Sequence, residues 1–385
     1  MGRTAKDRRR YAPKPVEKAA LSEKHTGLRL AAVILLLAGG AAALSYALTA
    51  LLTPQSGWQQ VEVKASAGLN CGDEFVFLYK MSGPSSERKA LQLAYSDACE
   101  TAYQLFDSSI LFEGCANIAS LNAHPNEALA VAPPLYEALS LLEESGSRRL
   151  YLGPITERYG DLFFCQNDTE AAEFDPYQNA ALRQEFAALA RFAQDEKAVS
   201  LELLGEGQAK LSVSAEYLAY AEAEGISRFI DLGWMRNAFI ADYLADTLAA
   251  QGFTHGSLSS YDGFTRCLDG SGEEYALPLY QETVDGIAAA EPLRYQGPMG
   301  LVTLRRFMLS DIDRRAWYAF EDGRVLTSYL DAADGLPKAA KASVTAYGGA
   351  SCAEIALALA DLYIADSFDE AAAESLALEN LALFW

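Results

Sequence analysis

The sequence predicts an α+β domain held behind a single membrane-spanning helix. Three observations carry this reading. Residues 30–52 contain no charged side chain. The net charge changes sign across that run. Beyond it, strand-type alternation and helix-type spacing are interspersed without a fixed repeat, which excludes a solenoid. The chain has 385 residues, 51% hydrophobic and 22% charged, so a wholly disordered protein is excluded.

Residues 1–29 form a basic leader. Nine basic side chains (Arg3, Lys6, Arg8, Arg9, Arg10, Lys14, Lys18, Lys24, Arg29) face three acids (Asp7, Glu17, Glu23), so it carries a net +6 and the rest of the chain −27. The run that follows, LAAVILLLAGGAAALSYALTALL, has only Ser45, Tyr46 and Thr49 as polar side chains. A helix of ~20 apolar residues crosses the hydrocarbon core. A signal peptide has a shorter apolar region, ~7–15 residues, so an uncleaved anchor is expected. Basic flanks stay cytoplasmic, which places the acidic bulk outside the cell membrane. Residues 53–67 read as a tether and 68–385 as the extracytoplasmic domain. Its acidic balance argues against nucleic-acid binding.

Within the domain, residues 73–79 alternate as a strand. Residues 88–106 carry apolar side chains at helical spacing. Residues 133–144 start on Pro-Pro and stop before Gly146, a helix with both signals, and 179–194 form another. Residues 199–204 and 210–213 read as a hairpin around Gly-Glu-Gly-Gln-Ala. Residues 229–232 read as a short apolar strand, followed by a helix over 236–251. Strands are expected at 326–330 and 342–347, and a last helix at 353–365.

Several chemistries are excluded. The histidines are His25, His124 and His255, and His25 lies in the leader, so a multi-histidine metal centre is ruled out. Gly205 and Gly207 open no strand-to-helix turn, so they are no dinucleotide loop. Gly349-Ala-Ser-Cys-Ala lacks the second glycine of a nucleophile elbow. The six cysteines, Cys71, Cys99, Cys115, Cys165, Cys267 and Cys352, contain no Cys-x-x-Cys. They are compatible with disulfides, with 15 connectivities, or with buried free thiols.

Three collinear segments carry a resemblance. The first is 117–122 (Asn-Ile-Ala-Ser-Leu-Asn), then the helix at 133–144, then Leu152-Gly153-Pro154-Ile155 and Tyr159-Gly160. The second is Ile230-Asp231-Leu232-Gly233 before a helix containing Ala241-Asp242, then Asp262-Gly263. The third is Tyr329-Leu330-Asp331, Gly335-Leu336-Pro337, Ser343-Val344-Thr345 and a helix at Cys352-Ala353-Glu354. Together they resemble the FAD:protein FMN transferase (ApbE) family across roughly residues 71 to 375.

The resemblance implies an ApbE-like fold and Mg²⁺-dependent transfer of FMN from FAD to a protein Ser or Thr. The implied catalytic positions are Asp231, Asn237 and Ser328. The implied cofactor positions are Gly233, Trp234, Arg236, Asp262 and Asp331, and Glu354 is the implied metal ligand. The match also departs from the family. Asn237 stands at the family lysine, Trp234 at a glycine, Ser328 at a histidine and Ala358 at a metal-binding threonine. FAD and Mg²⁺ are therefore expected from resemblance alone. The expected protein is a membrane-anchored relative with a degenerate site, inactive or strongly divergent. Its partner would be a flavin acceptor or other envelope protein. The alternatives are a non-catalytic binding or scaffold module and an extracytoplasmic solute-binding domain.

Overall fold

The computed structural model describes residues 31–32, 34–36, 40, 56–64, 69–82, 85–378 and 381–385. The leader 1–29 lies outside the described residues, as does most of the expected span 30–52. Among the described residues, no helix is long and apolar enough to cross a membrane.

A seven-stranded antiparallel sheet organises the folded unit, among the described residues. Its strands are β1 (Gly57–Val61), β2 (Phe75–Met81), β3 (Gly256–Ser260), β4 (Phe264–Cys267), β5 (Met299–Arg305), β6 (Ser343–Gly348) and β7 (Leu381–Phe384), lying side by side in chain order. The tether expected over 53–67 is corrected here. Gly57–Val61 pairs with β2, Val61 opposite Phe77, and is the edge strand of the sheet. The alternation of exposed Trp58 and Gln60 with buried Val61 is a period-2 signal hidden among polar residues.

One face of the sheet is the core face. Phe77 pairs with Leu258, Val302 with Phe264 and Leu304 with Val344, all buried. Three helices cover it: α1 (Ser85–Phe106), α2 (Arg236–Ala250) and α3 (Cys352–Tyr363), with α2 packed against both others and against β4. The opposite face holds a smaller cluster of Cys267, Leu293, Tyr295, Met299 and Leu301, roofed by the short strands between 274 and 296. The hairpin expected at 199–213 is present as Val199–Gly205 paired with Gln208–Val213, and Ala128–Ala130 adds a third strand.

Residues 229–232 are not a strand. This backbone runs buried through the core without a ladder partner, so its polar groups need other partners. Asn122 supplies them. Its Oδ1 accepts the amides of Phe229 (3.0 Å) and Ile230 (2.9 Å), and its Nδ2 donates to the Ile230 carbonyl at 2.9 Å. The Asp231 amide donates to the Leu150 carbonyl. Asn122 ends a short helix, Ile118–Ala123, that starts on a capping box between Asn117 and Ser120.

Asn122→Ala leaves these buried groups unpaired and is expected to cost about 3 kcal/mol. Chemical denaturation of the full chain measures it, and a loss under about 1 kcal/mol contradicts this account.

Candidate functional site

The clamped segment delivers a turn. Asp231 Oδ1 accepts the Gly233 amide at 2.7 Å, and Gly233 adopts φ of 55°, a left-handed conformation suited to glycine. A 3₁₀ turn, Gly233–Met235, follows and runs directly into α2. This places Trp234, Arg236 and Asn237 in the lining of a cleft of about 270 Å³. Asp231, Gly233, Asp262 and Ser328 line the same cleft. Seven of the nine positions implied by the family resemblance therefore converge, although they span almost a hundred residues of chain.

The chemistry of these groups is already engaged. Asp231 Oδ2 accepts from Ser108 Oγ (2.6 Å) and Arg228 Nη1 (3.1 Å), so its carboxylate organises the turn at the edge of the cleft. Arg236 Nη2 donates to both oxygens of Glu74 at 2.6 Å. Arg228 also pairs with Glu157 at 3.4 Å, and Arg315 with Asp73 at 2.9 Å. These three arginines line the cleft, and a carboxylate neutralises each of them. Ser328 lines the cleft too, its amide donating to the Ala316 carbonyl.

The floor is different. Trp234 is 8% exposed, stacked near Phe264 with ring centres 6.3 Å apart and edge-on to Tyr329 at 5.4 Å. Asn237 is 2% exposed and donates from Nδ2 to Asp262 Oδ2 at 3.1 Å. Trp234 Nε1, Asn237 Oδ1 and Asp262 Oδ1 are buried and have no hydrogen-bond partner within the protein. Burial pushes the Asp262 carboxyl up to about 6; hydrogen bonds from Ser260 and Asn237 oppose the rise, and the Glu74 charge adds to it.

Two implied residues lie elsewhere. Glu354 does not line the cleft. Its Oε2 accepts the Ser351 amide at 2.7 Å while Ser351 Oγ accepts the Glu354 amide, a reciprocal cap that starts α3. Its spacing from Ser351 is helix-start chemistry. Asp331 also lies outside the cleft. It accepts from Lys338 Nζ at 2.8 Å and from the Ala333 amide, and its backbone closes the turn with Leu336 and Gly335. Lys338 bonds Asp334 and Asp366 as well, so the cluster is an ion-pair hub. Asp242 of α2 is likewise structural, its two oxygens accepting the Cys352 and Ala353 amides at 2.8 Å. Burial pushes it up to about 6 against the lowering effect of Arg266.

Sequence reasoning missed Glu74, Arg228, Arg315 and Ser108. Glu74 sits 162 positions from Arg236, and no local pattern announces a partner so distant.

Between pH 4 and 6 a carboxyl with a raised folded pKa holds more proton in the folded than in the unfolded chain. Stability therefore falls as pH rises through this window. Asp262→Asn removes this titration while Asp242 contributes equally to both proteins. The stability of the variant relative to the native chain is expected to rise from pH 4 to about 6 and then level off. Urea unfolding across that range checks it, and a pH-independent difference refutes it.

No known family profile matches the sequence, and no curated protein matches it. Solved structures do. The ApbE protein of Thermotoga maritima matches with a TM-score of 0.57 at 14% identity, covering 84% of this chain and 93% of its own. The flavin transferase ApbE of Vibrio cholerae matches at 0.55 and 13%, covering 85% and 93%. The apo flavinyl transferase ApbE of Pseudomonas stutzeri matches at 0.50 and 16%, covering 84% and 90%. The folded part of this chain has the ApbE fold at a sequence distance that leaves the fold, and not the activity, as what is shared.

Proposed function

We propose that this chain is a membrane-anchored, extracytoplasmic relative of the ApbE flavin transferases that has kept the fold as a binding module and lost flavin transfer. The carrying observation is the ion pairing of Arg228, Arg236 and Arg315. A diphosphate needs free cationic donors or an open helix N-terminus. Here each guanidinium already faces a carboxylate, and Asp107 and Asp262 add further acid to the walls.

The residues do not fit FAD with Mg²⁺. Magnesium takes oxygen ligands in octahedral geometry, commonly one or two carboxylates together with substrate phosphates. Asp231 is spent on Ser108, Arg228 and the Gly233 amide, and Glu354 on its cap. Among the described residues no group of three or more His, Cys, Asp or Glu is arranged to hold a metal ion. Asn237 offers an amide where the family resemblance implies a lysine charge. Trp234 fills volume where it implies glycine. The cleft, at about 270 Å³, is also below the ~300–1,000 Å³ usual for ligand pockets, and a dinucleotide belongs at the upper end of that range.

A second reading, solute binding, draws support from residues lining the cleft, Trp234, Asn237 and Asp262, that each carry a buried polar atom without a partner.

Full-length protein titrated with FAD, with and without Mg²⁺, is expected to show no saturable change in flavin fluorescence at micromolar concentration. It is also expected to leave a Ser/Thr acceptor domain unlabelled under conditions in which an active flavin transferase labels it. Mg²⁺-dependent micromolar binding or covalent flavin on the acceptor overturns the proposal.

A further inference from the structure

We infer that Cys71 and Cys99 form a native disulfide that staples the turn carrying Glu74 to helix α1. All six cysteines are free thiols in the structure, but these two are placed together. Cys71 precedes the 3₁₀ turn Gly72–Glu74, and Cys99 lies in the middle of α1. Both are fully buried, at 0% exposure. Cys71 Sγ donates to the Cys99 carbonyl at 3.3 Å. This places the Cys71 thiol against the backbone of Cys99. The Cys99 thiol nearby and burial together raise the Cys71 thiol well above its ordinary value.

The other cysteines are placed differently. Cys267 packs in the small cluster on one face of the sheet, and Cys352 in the main core on the other. Cys352 Sγ is engaged with the Thr265 carbonyl at 3.2 Å. Cys115 and Cys165 are half-buried, on separate loops.

The chemistry is thiol–disulfide exchange. The thiolate of one cysteine attacks a disulfide-bearing oxidant and releases one thiol. The second cysteine displaces the other half from the mixed disulfide. The protein loses two hydrogens as two protons and two electrons, and the oxidant becomes two thiols. Because neither sulfur reaches solvent in the folded chain, the exchange belongs to the folding stage, and the finished bond is shielded from reductant. The bond closes a loop between residues 28 positions apart, which restricts the unfolded chain. It also fixes the segment that brings Glu74 to Arg236, the pair that neutralises one wall of the cleft.

The inference rests on the extracytoplasmic reading above, since such bonds persist in oxidising compartments. Two measurements separate them. In the first, reduced and unfolded full-length protein is refolded in a mixture of oxidised and reduced glutathione, then alkylated and mapped without reduction. A peptide pair joining Cys71 to Cys99, with the other four cysteines alkylated, is expected. Free Cys71 and Cys99, or another pairing, overturns the inference. In the second, membranes from cells producing the full chain are alkylated at lysis and mapped in the same way. The same linked pair supports a native bond. Free thiols there, after correct pairing on refolding, overturn the native bond and assign the failure to the compartment rather than to the geometry. As a control on folding, reductant is expected to lower the thermal midpoint of the native chain and to leave a Cys71→Ala/Cys99→Ala double variant unmoved. Equal response of both proteins to reductant contradicts the cross-link.

Discussion

A stretch of buried backbone with no strand beside it must find its hydrogen bonds in side chains, and the rest of this structure depends on how residues 229–232 do so. Asn122 bonds two amides and one carbonyl of that stretch. This holds Asp231 where it can cap the Gly233 turn, and the turn sets where α2 begins. The direction of Trp234, Arg236 and Asn237 follows from that start. A single amide side chain, ending a two-turn helix far away in sequence, therefore decides the geometry of one whole wall of the cleft.

Electrostatics then decides what the wall can do. An arginine at a cleft is a ready anion site only when its charge is free. Here Glu74, Asp73, Glu157 and Asp231 come from three separate parts of the chain, and each neutralises a guanidinium. The acidic composition of the domain has a local meaning at this point. It supplies partners for the cations of the site, leaving an indole N–H, an amide oxygen and a carboxyl oxygen as buried atoms without a partner. Asp262, buried beside Asn237, is the one among them whose protonation changes in mildly acidic conditions.

Much of the fold was legible. The helices at 88–106, 133–144 and 236–251 showed their apolar periodicity, and the 199–213 hairpin its turn. Period-2 and period-3.6 patterns report which side of an element is buried, so they survive in a single sequence. Legibility failed where burial has a different cause. Residues 229–232 are apolar because they cross the core, and apolarity alone does not separate a strand from a side-chain-clamped loop. Residues 57–61 looked like a tether because an edge strand with one solvated face carries glutamines. For the site, Asp231, Trp234, Asn237, Asp262 and Ser328 line one cleft. Glu354 and Asp331 lie outside it, because a carboxylate three residues after a serine, or inside an Asp-x-x-x-Gly turn, serves the backbone.

The sequence by itself determined the charge asymmetry, the uncharged 23-residue run and which side chains stand at 237, 328 and 358. These are properties of residue identity and order. Only the tertiary structure decided that the remaining arginines are neutralised, that Glu354 caps a helix, that Trp234 is packed on Phe264 and Tyr329, and that Cys71 lies against Cys99. Pairing depends on distance in space, and in an antiparallel sheet whose covering helices come from both ends of the chain, partners lie a hundred or more positions apart. No local pattern encodes that separation, because it is set by how the whole core packs.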